Sequence, residues 1–322
     1  MYGCRTCSMA FSLVVPVLAC SVSHAWADEP NPIQLSHVPQ GGTSAEHAPA
    51  TAPADEKVEE SLPVSISLSY GLYTDYVFRG INFSEYPGER REKLNHQFEV
   101  SIGLDLSVLG YGDLGTIGFD TWFQWFAGQR KLDPDRDSYL QEVDYTIWWS
   151  RTIAQIATDL TLGFTYYQLL STFDDDTCEY FIKLEHNDAW MWRKLWPDNE
   201  KGVLNPSFFL AHDVGTLGGV WMEFGVSHDF AVPGIEHLTV TPGYELAVQC
   251  NYWRDGFFIA GDTWSLVTAY DLTELLRLPA WAGRLGIAGE LYYFNAYSNF
   301  RKPDGGADEL WGGLSVTWDW GG

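Results

Sequence analysis

Acidic side chains recur at alternate positions through most of the chain, and that spacing decides what chemistry they can support. By parity, Asp75, Glu99, Asp105, Asp120, Glu142, Asp144, Glu179, Glu185, Asp213, Glu223, Asp229, Glu245, Glu290 and Asp319 fall on one side of successive strand patterns. Arg79 and Lys183 are the bases on that side. Carboxylates held close together repel one another and attract cations, and rings of them are a route to cation selectivity. The pattern implies a cation-preferring passage or a site for a cationic solute; a water-filled but closed interior is the bland alternative. Asp75 and Arg79 lie four residues apart, about 13 Å along a strand at roughly 3.3 Å per residue, too far to pair with each other. Each is therefore expected to meet a neighbouring strand, with Arg79 neutralising wall carboxylates.

The elements that position these groups are strands. In the stretch 64–81, Val64, Ile66, Leu68, Tyr70, Leu72, Tyr76 and Phe78 share one parity. Ser65, Ser67, Ser69, Gly71, Asp75 and Arg79 share the other. Successive side chains of a strand face opposite ways, so one face is apolar and the other small and polar. Read as a single strand of about 18 residues, it exceeds the roughly 9–11 tilted residues that cross a bilayer. Similar patterns follow at 98–108, 116–127, 139–149, 158–168, 178–186, 203–213, 217–230, 237–250, 257–270, 284–296 and 309–320, which makes twelve. In lipid the apolar face must point outward, so the polar face lines the interior. The expected fold class is all-β, a transmembrane antiparallel up-and-down β-barrel of about twelve strands. Pro206 and Pro242 sit awkwardly inside two patterns, because proline donates no ladder hydrogen bond. The link 187–202 is longer than its neighbours on the same side; it is either an interfacial amphipathic helix or a miscounted strand.

Composition agrees with export. Aromatics reach 16% and charged residues only 19%, against about 25% charged in an ordinary globular domain. The net charge of −24 argues against a nucleic-acid partner, whose phosphates it would repel. Residues 1–27 read as a signal peptide, with Arg5 before an apolar core and Ala25-Trp26-Ala27 as the cleavage site. Residues 28–62, rich in Pro, Ala and Glu, read as a disordered linker, and 63–322 as the barrel. The expected location is the bacterial outer membrane, reached through the periplasm, with membrane lipid and small hydrophilic solutes as partners. Beyond the signal only Cys178 and Cys250 remain; whether they pair is left open. No Cys/His spacing suggests zinc, no cofactor is expected, and the scattered histidines form no catalytic constellation.

One motif is specific at residue level. Thr74-Asp75-Tyr76-Val77-Phe78-Arg79-Gly80-Ile81 resembles the S-D-Y-x-x-R-G-[IV] signature of the TorF-like family of outer-membrane porins, which carry the Gcw_chp domain. Thr74 stands where the family commonly has Ser, and Phe83-Ser84 where Ser-Gln is frequent. The acidic linker at 28–62 and the 187–202 link are also untypical. The resemblance implies an outer-membrane barrel with a transport role; it brings no catalytic residues and no substrate. Together these readings favour passive passage of small, preferably cationic solutes, with a non-conducting structural or surface-anchoring barrel as the alternative and an outer-membrane enzyme as the less favoured class.

Overall fold

The computed structural model describes residues 63–84, 94–110, 114–127, 140–170, 175–197, 202–301 and 307–321. The expected signal and linker therefore lie outside the described residues. Twelve long strands form the wall: β1 Val64–Tyr73, β2 Asn95–Asp105, β3 Thr116–Phe126, β4 Leu140–Ile153, β5 Thr158–Leu169, β6 Thr177–His186, β7 Ser207–Asp213, β8 Val220–Ser227, β9 Leu238–Cys250, β10 Phe257–Asp271, β11 Arg284–Ala296 and β12 Glu309–Gly321. Each pairs antiparallel with its sequence neighbours. Pairing of β1 with β12, from Ser65↔Gly321 to Tyr73↔Gly313, closes the ring. Closure leaves no open sheet edge, which is what twelve alternating segments need.

Alternation sets the two faces as expected. Tyr70, Ile102, Phe119, Ile147, Tyr180, Trp264, Leu291 and Leu314 are exposed on the outside. Residues of the opposite parity on these strands and their neighbours, such as Trp122, Gln124, Thr165 and Glu179, are buried inside. Pro206 falls just ahead of β7. Pro242 does lie within β9, one residue past the last β8–β9 pair, Ser227↔Gly243. Its carbonyl still accepts from the His228 N–H at 3.2 Å, so its missing N–H falls where pairing with β8 ends. The described part of the 187–202 link holds no extra strand and contains a four-residue helix, Ala189–Trp192. Trp190 and Trp196 are exposed there, but Trp192 is tied back, its Nε1–H donating to Asp188 at 2.7 Å.

The first pattern is where the fold departs from expectation. β1 stops at Tyr73 instead of running to Ile81. The chain then turns into the barrel and forms a small hairpin, Val77–Phe78 against Ile81–Asn82. Its two turn residues, Arg79 and Gly80, have φ of 47° and 75°. Positive φ at both central positions is the two-residue turn whose twist suits a hairpin. Gly80 accepts this conformation without steric cost. A Cβ at Gly80 would come within 2.3 Å of Phe294, so the close approach needs glycine as well. Tyr76 and Phe78 keep the parity of the apolar face but pack on aromatic rings in the lumen, not on lipid.

Candidate functional site

The hairpin fills the barrel end remote from the termini, and its contacts go round the wall. Tyr76 donates its hydroxyl to Glu142 of β4 at 2.7 Å and packs on Trp122 of β3, ring centroids 5.6 Å apart. Phe78 meets Tyr167 of β5 edge-on at 6.0 Å. Asn82 donates to Asp75 at 3.3 Å and to Glu309 of β12 at 3.1 Å. Asp75 and Arg79, expected on one strand's lumen face, are both in this inserted segment, as its hydrogen bonds and turn require.

Arg79 is held by both charge and aromatic rings. Its two terminal nitrogens donate to the two carboxylate oxygens of Glu179 on β6 at 2.5 and 2.6 Å, and neither side chain is reached by solvent. The guanidinium carbon lies 4.2 Å from the Tyr252 ring centroid, 5.0 Å from Phe78 and 5.7 Å from Trp221. A planar, delocalised cation suits both a bidentate carboxylate and an aromatic face. Beside it is a cavity of about 10 Å³, bordered by Trp221, Glu223, Glu245, Phe294 and Trp311. That is room for about one water. Trp221 donates Nε1–H to Glu223 at 2.7 Å, which fixes ring and carboxylate together.

A second group lies across β2 to β5. Glu99, Trp122, Asp144 and Tyr167 stand in one cross-strand row, and Gln97, Gln124 and Glu142 in the next. Asp144 is buried, and neither of its oxygens has a hydrogen-bond partner among the described residues; the same holds for the amide of Gln124. No trio of acidic, His or Cys side chains among the described residues is spaced to hold a metal ion.

The remaining expected wall residues divide. Asp120 accepts from Ser101 at 2.6 Å. Glu290 accepts from Ser315 at 2.5 Å and from Tyr292 at 2.7 Å. Lys183 and Glu185 pair at 3.0 Å towards the termini end. Asp105 is not a wall residue: it is exposed at the strand end and caps a 3-10 turn through the Ser107 N–H, 2.8 Å away. Asp213 caps the β7–β8 turn, accepting from the N–H groups of Gly215 and Gly218 at 2.8 Å. Asp229 lies outside the long strands and accepts from Thr241 at 2.6 Å. Arg284, which parity reading omitted, reaches Asp271 at 3.1 Å at the termini-side rim. Cys178 is a buried free thiol, so the possible Cys178–Cys250 bridge is not made.

Two groups escaped sequence reasoning. Trp221 has the parity of Glu223, two positions on, and could have been found from it. Tyr252 lies in the β9–β10 link, where alternation carries no information.

No protein-family model and no curated protein matches the chain. Among solved structures it is similar to the NanC porin, with TM-score 0.41 and 9% identity over 79% of this chain and 98% of that one. It is also similar to the COG4313 outer membrane channel from Pseudomonas putida F1, with TM-score 0.41 and 10% identity over 83% and 100%. Likeness at this level carries no argument about function.

Proposed function

We propose that the chain is an outer-membrane barrel of the TorF-like kind that passes small hydrophilic solutes, preferably cations, through an acidic lumen. The observation that carries this reading is the imbalance inside the wall. Glu99, Asp120, Glu142, Asp144, Glu223, Glu245 and Glu290 share the inward parity of the wall, while Arg79 is held on Glu179 and Lys183 on Glu185. An interior lined with acidic side chains, its bases already paired, favours cations over anions. The exterior supports a bilayer setting: large apolar side chains such as Phe119, Trp264 and Leu314 are exposed round the barrel, and a belt of that kind is costly in water and favourable in lipid. Export through the periplasm, with the termini on the periplasmic side, follows from the same reading.

A second reading has its own observation. The hairpin at 77–82 fills one end of the lumen, which is what a non-conducting structural or surface-anchoring barrel would have. Reversal potential in a planar bilayer under a KCl gradient separates the two. A cation-selective potential supports the passage. Stable insertion with no current through any variant supports the structural barrel.

A further inference from the structure

We propose that the corner of the lumen formed by Glu179, Trp221 and Tyr252 is a receptor for a free guanidinium-bearing solute, with Arg79 as its tethered occupant. This rests on the passage reading and names the solute class for it. The corner belongs to the wall and its β9–β10 link, not to the hairpin: Glu179 is on β6, Trp221 on β8 and Tyr252 just after β9. These groups present both things a planar cation needs, a carboxylate with two accepting oxygens and flanking aromatic faces. The Arg79 guanidinium reads both at once, with bonds of 2.5 and 2.6 Å and the wall rings at 4.2 and 5.7 Å.

The corner is also rich in carboxyl groups. Glu223 and Glu245 border the cavity beside the guanidinium, so three acidic side chains stand near one fixed cation. The occupant arrives on a short arm, the two-residue strands 77–78 and 81–82. A solute with the same planar fork competes with Arg79 for Glu179, so binding of the solute and release of the hairpin would be one exchange. A bare ammonium or a sodium ion lacks the second parallel hydrogen bond and competes less well.

The test is chemical rescue in Arg79→Ala, refolded into detergent and into planar bilayers, with guanidinium chloride at low millimolar concentration as probe and sodium chloride at equal ionic strength as control. Guanidinium should restore most of the lost thermal midpoint and quench or shift the Trp221 emission, while sodium should not. Adding Glu179→Gln should weaken the response at least tenfold. If sodium acts as well as guanidinium, or the response survives Glu179→Gln, the corner is only a structural ion pair and the proposal fails. Should the alanine variant not refold, Arg79→Gln, which keeps bulk and polarity, is held to the same outcomes. Current is read separately. Rescue in a protein that never conducts leaves the receptor standing and removes the passage; conduction without rescue does the reverse.

Discussion

Arg79 and Glu179, one hundred positions apart in the chain, meet inside the barrel through two parallel hydrogen bonds with no solvent access to either side chain. One comes from an inserted turn and the other from the wall, so the pair fastens the hairpin across the lumen. Removing one partner of a buried ion pair leaves a charge without compensation and typically costs about 3–5 kcal/mol. Arg79→Ala and Glu179→Gln are each expected to lose roughly that much. Replacing both with apolar residues, Arg79→Leu with Glu179→Leu, should recover most of it. Denaturant unfolding of the refolded barrel followed by Trp fluorescence checks this; equal losses in single and double variants would contradict it.

Gly80 offers a cleaner test of the turn. Gly80 and Gly234 have similar φ, 75° and 83°, so alanine strains both backbones by about 1–2 kcal/mol. Only at Gly80 does the new Cβ meet a neighbour, Phe294 at 2.3 Å, whereas nothing lies within 4 Å at Gly234. Gly80→Ala should therefore lower the unfolding midpoint clearly more than Gly234→Ala. The difference measures the contact of the hairpin tip with β11.

Asp144 is expected to behave oppositely to Arg79. Its oxygens are buried without hydrogen-bond partners among the described residues, and an unpaired buried carboxylate is a cost to the fold. Asp144→Asn should leave the barrel equally stable or more stable, by up to about 1–3 kcal/mol. A loss in the same unfolding assay would show that the carboxylate is compensated in solution.

The link after β6 carries a pH dependence of definite sign. Burial pushes the Asp188 carboxyl up, but hydrogen bonds from the Val203 N–H, the Trp192 indole and the Leu204 and Asn205 N–H groups outweigh it and hold it below the ordinary carboxylate value. A depressed native value means the clamp stabilises above the unfolded pKa of about 3.9 and is lost as pH falls through the lower, folded one. Protection of the Val203 and Leu204 amides, relative to their intrinsic exchange at each pH, should hold from neutral pH down to about pH 4 and fall below it. Asp188→Asn should exchange faster already at pH 7 and lose most of that acid step.

Much of the barrel was legible because the pleat has a period of two. The segment 284–296 coincides with β11 residue for residue, and Trp122, Gln124 and Glu142 point inward as their parity required. The same rule misled at Tyr76 and Phe78, which keep the apolar parity of β1 after the strand has ended. A buried lumen face and a lipid face look alike when the residues are aromatic, and only the Arg79-Gly80 turn marked the reversal. Asp105 was misread because parity does not tell a wall carboxylate from one that caps a turn, whereas Asp213 does both, facing inward opposite Glu179 while it caps the β7–β8 turn. Tyr252 was invisible because its contact with Arg79 depends on how a link folds over the lumen.

The most direct test is single-channel conductance of two refolded chains, the unaltered one and one in which 75–83 is replaced by a short Gly/Ser turn. A passage fastened shut by the hairpin predicts rare, brief openings in the first and steady, cation-selective conductance in the second. If the shortened chain inserts and remains silent, the passage account is wrong; if both conduct alike, the passage stands and the hairpin does not close it.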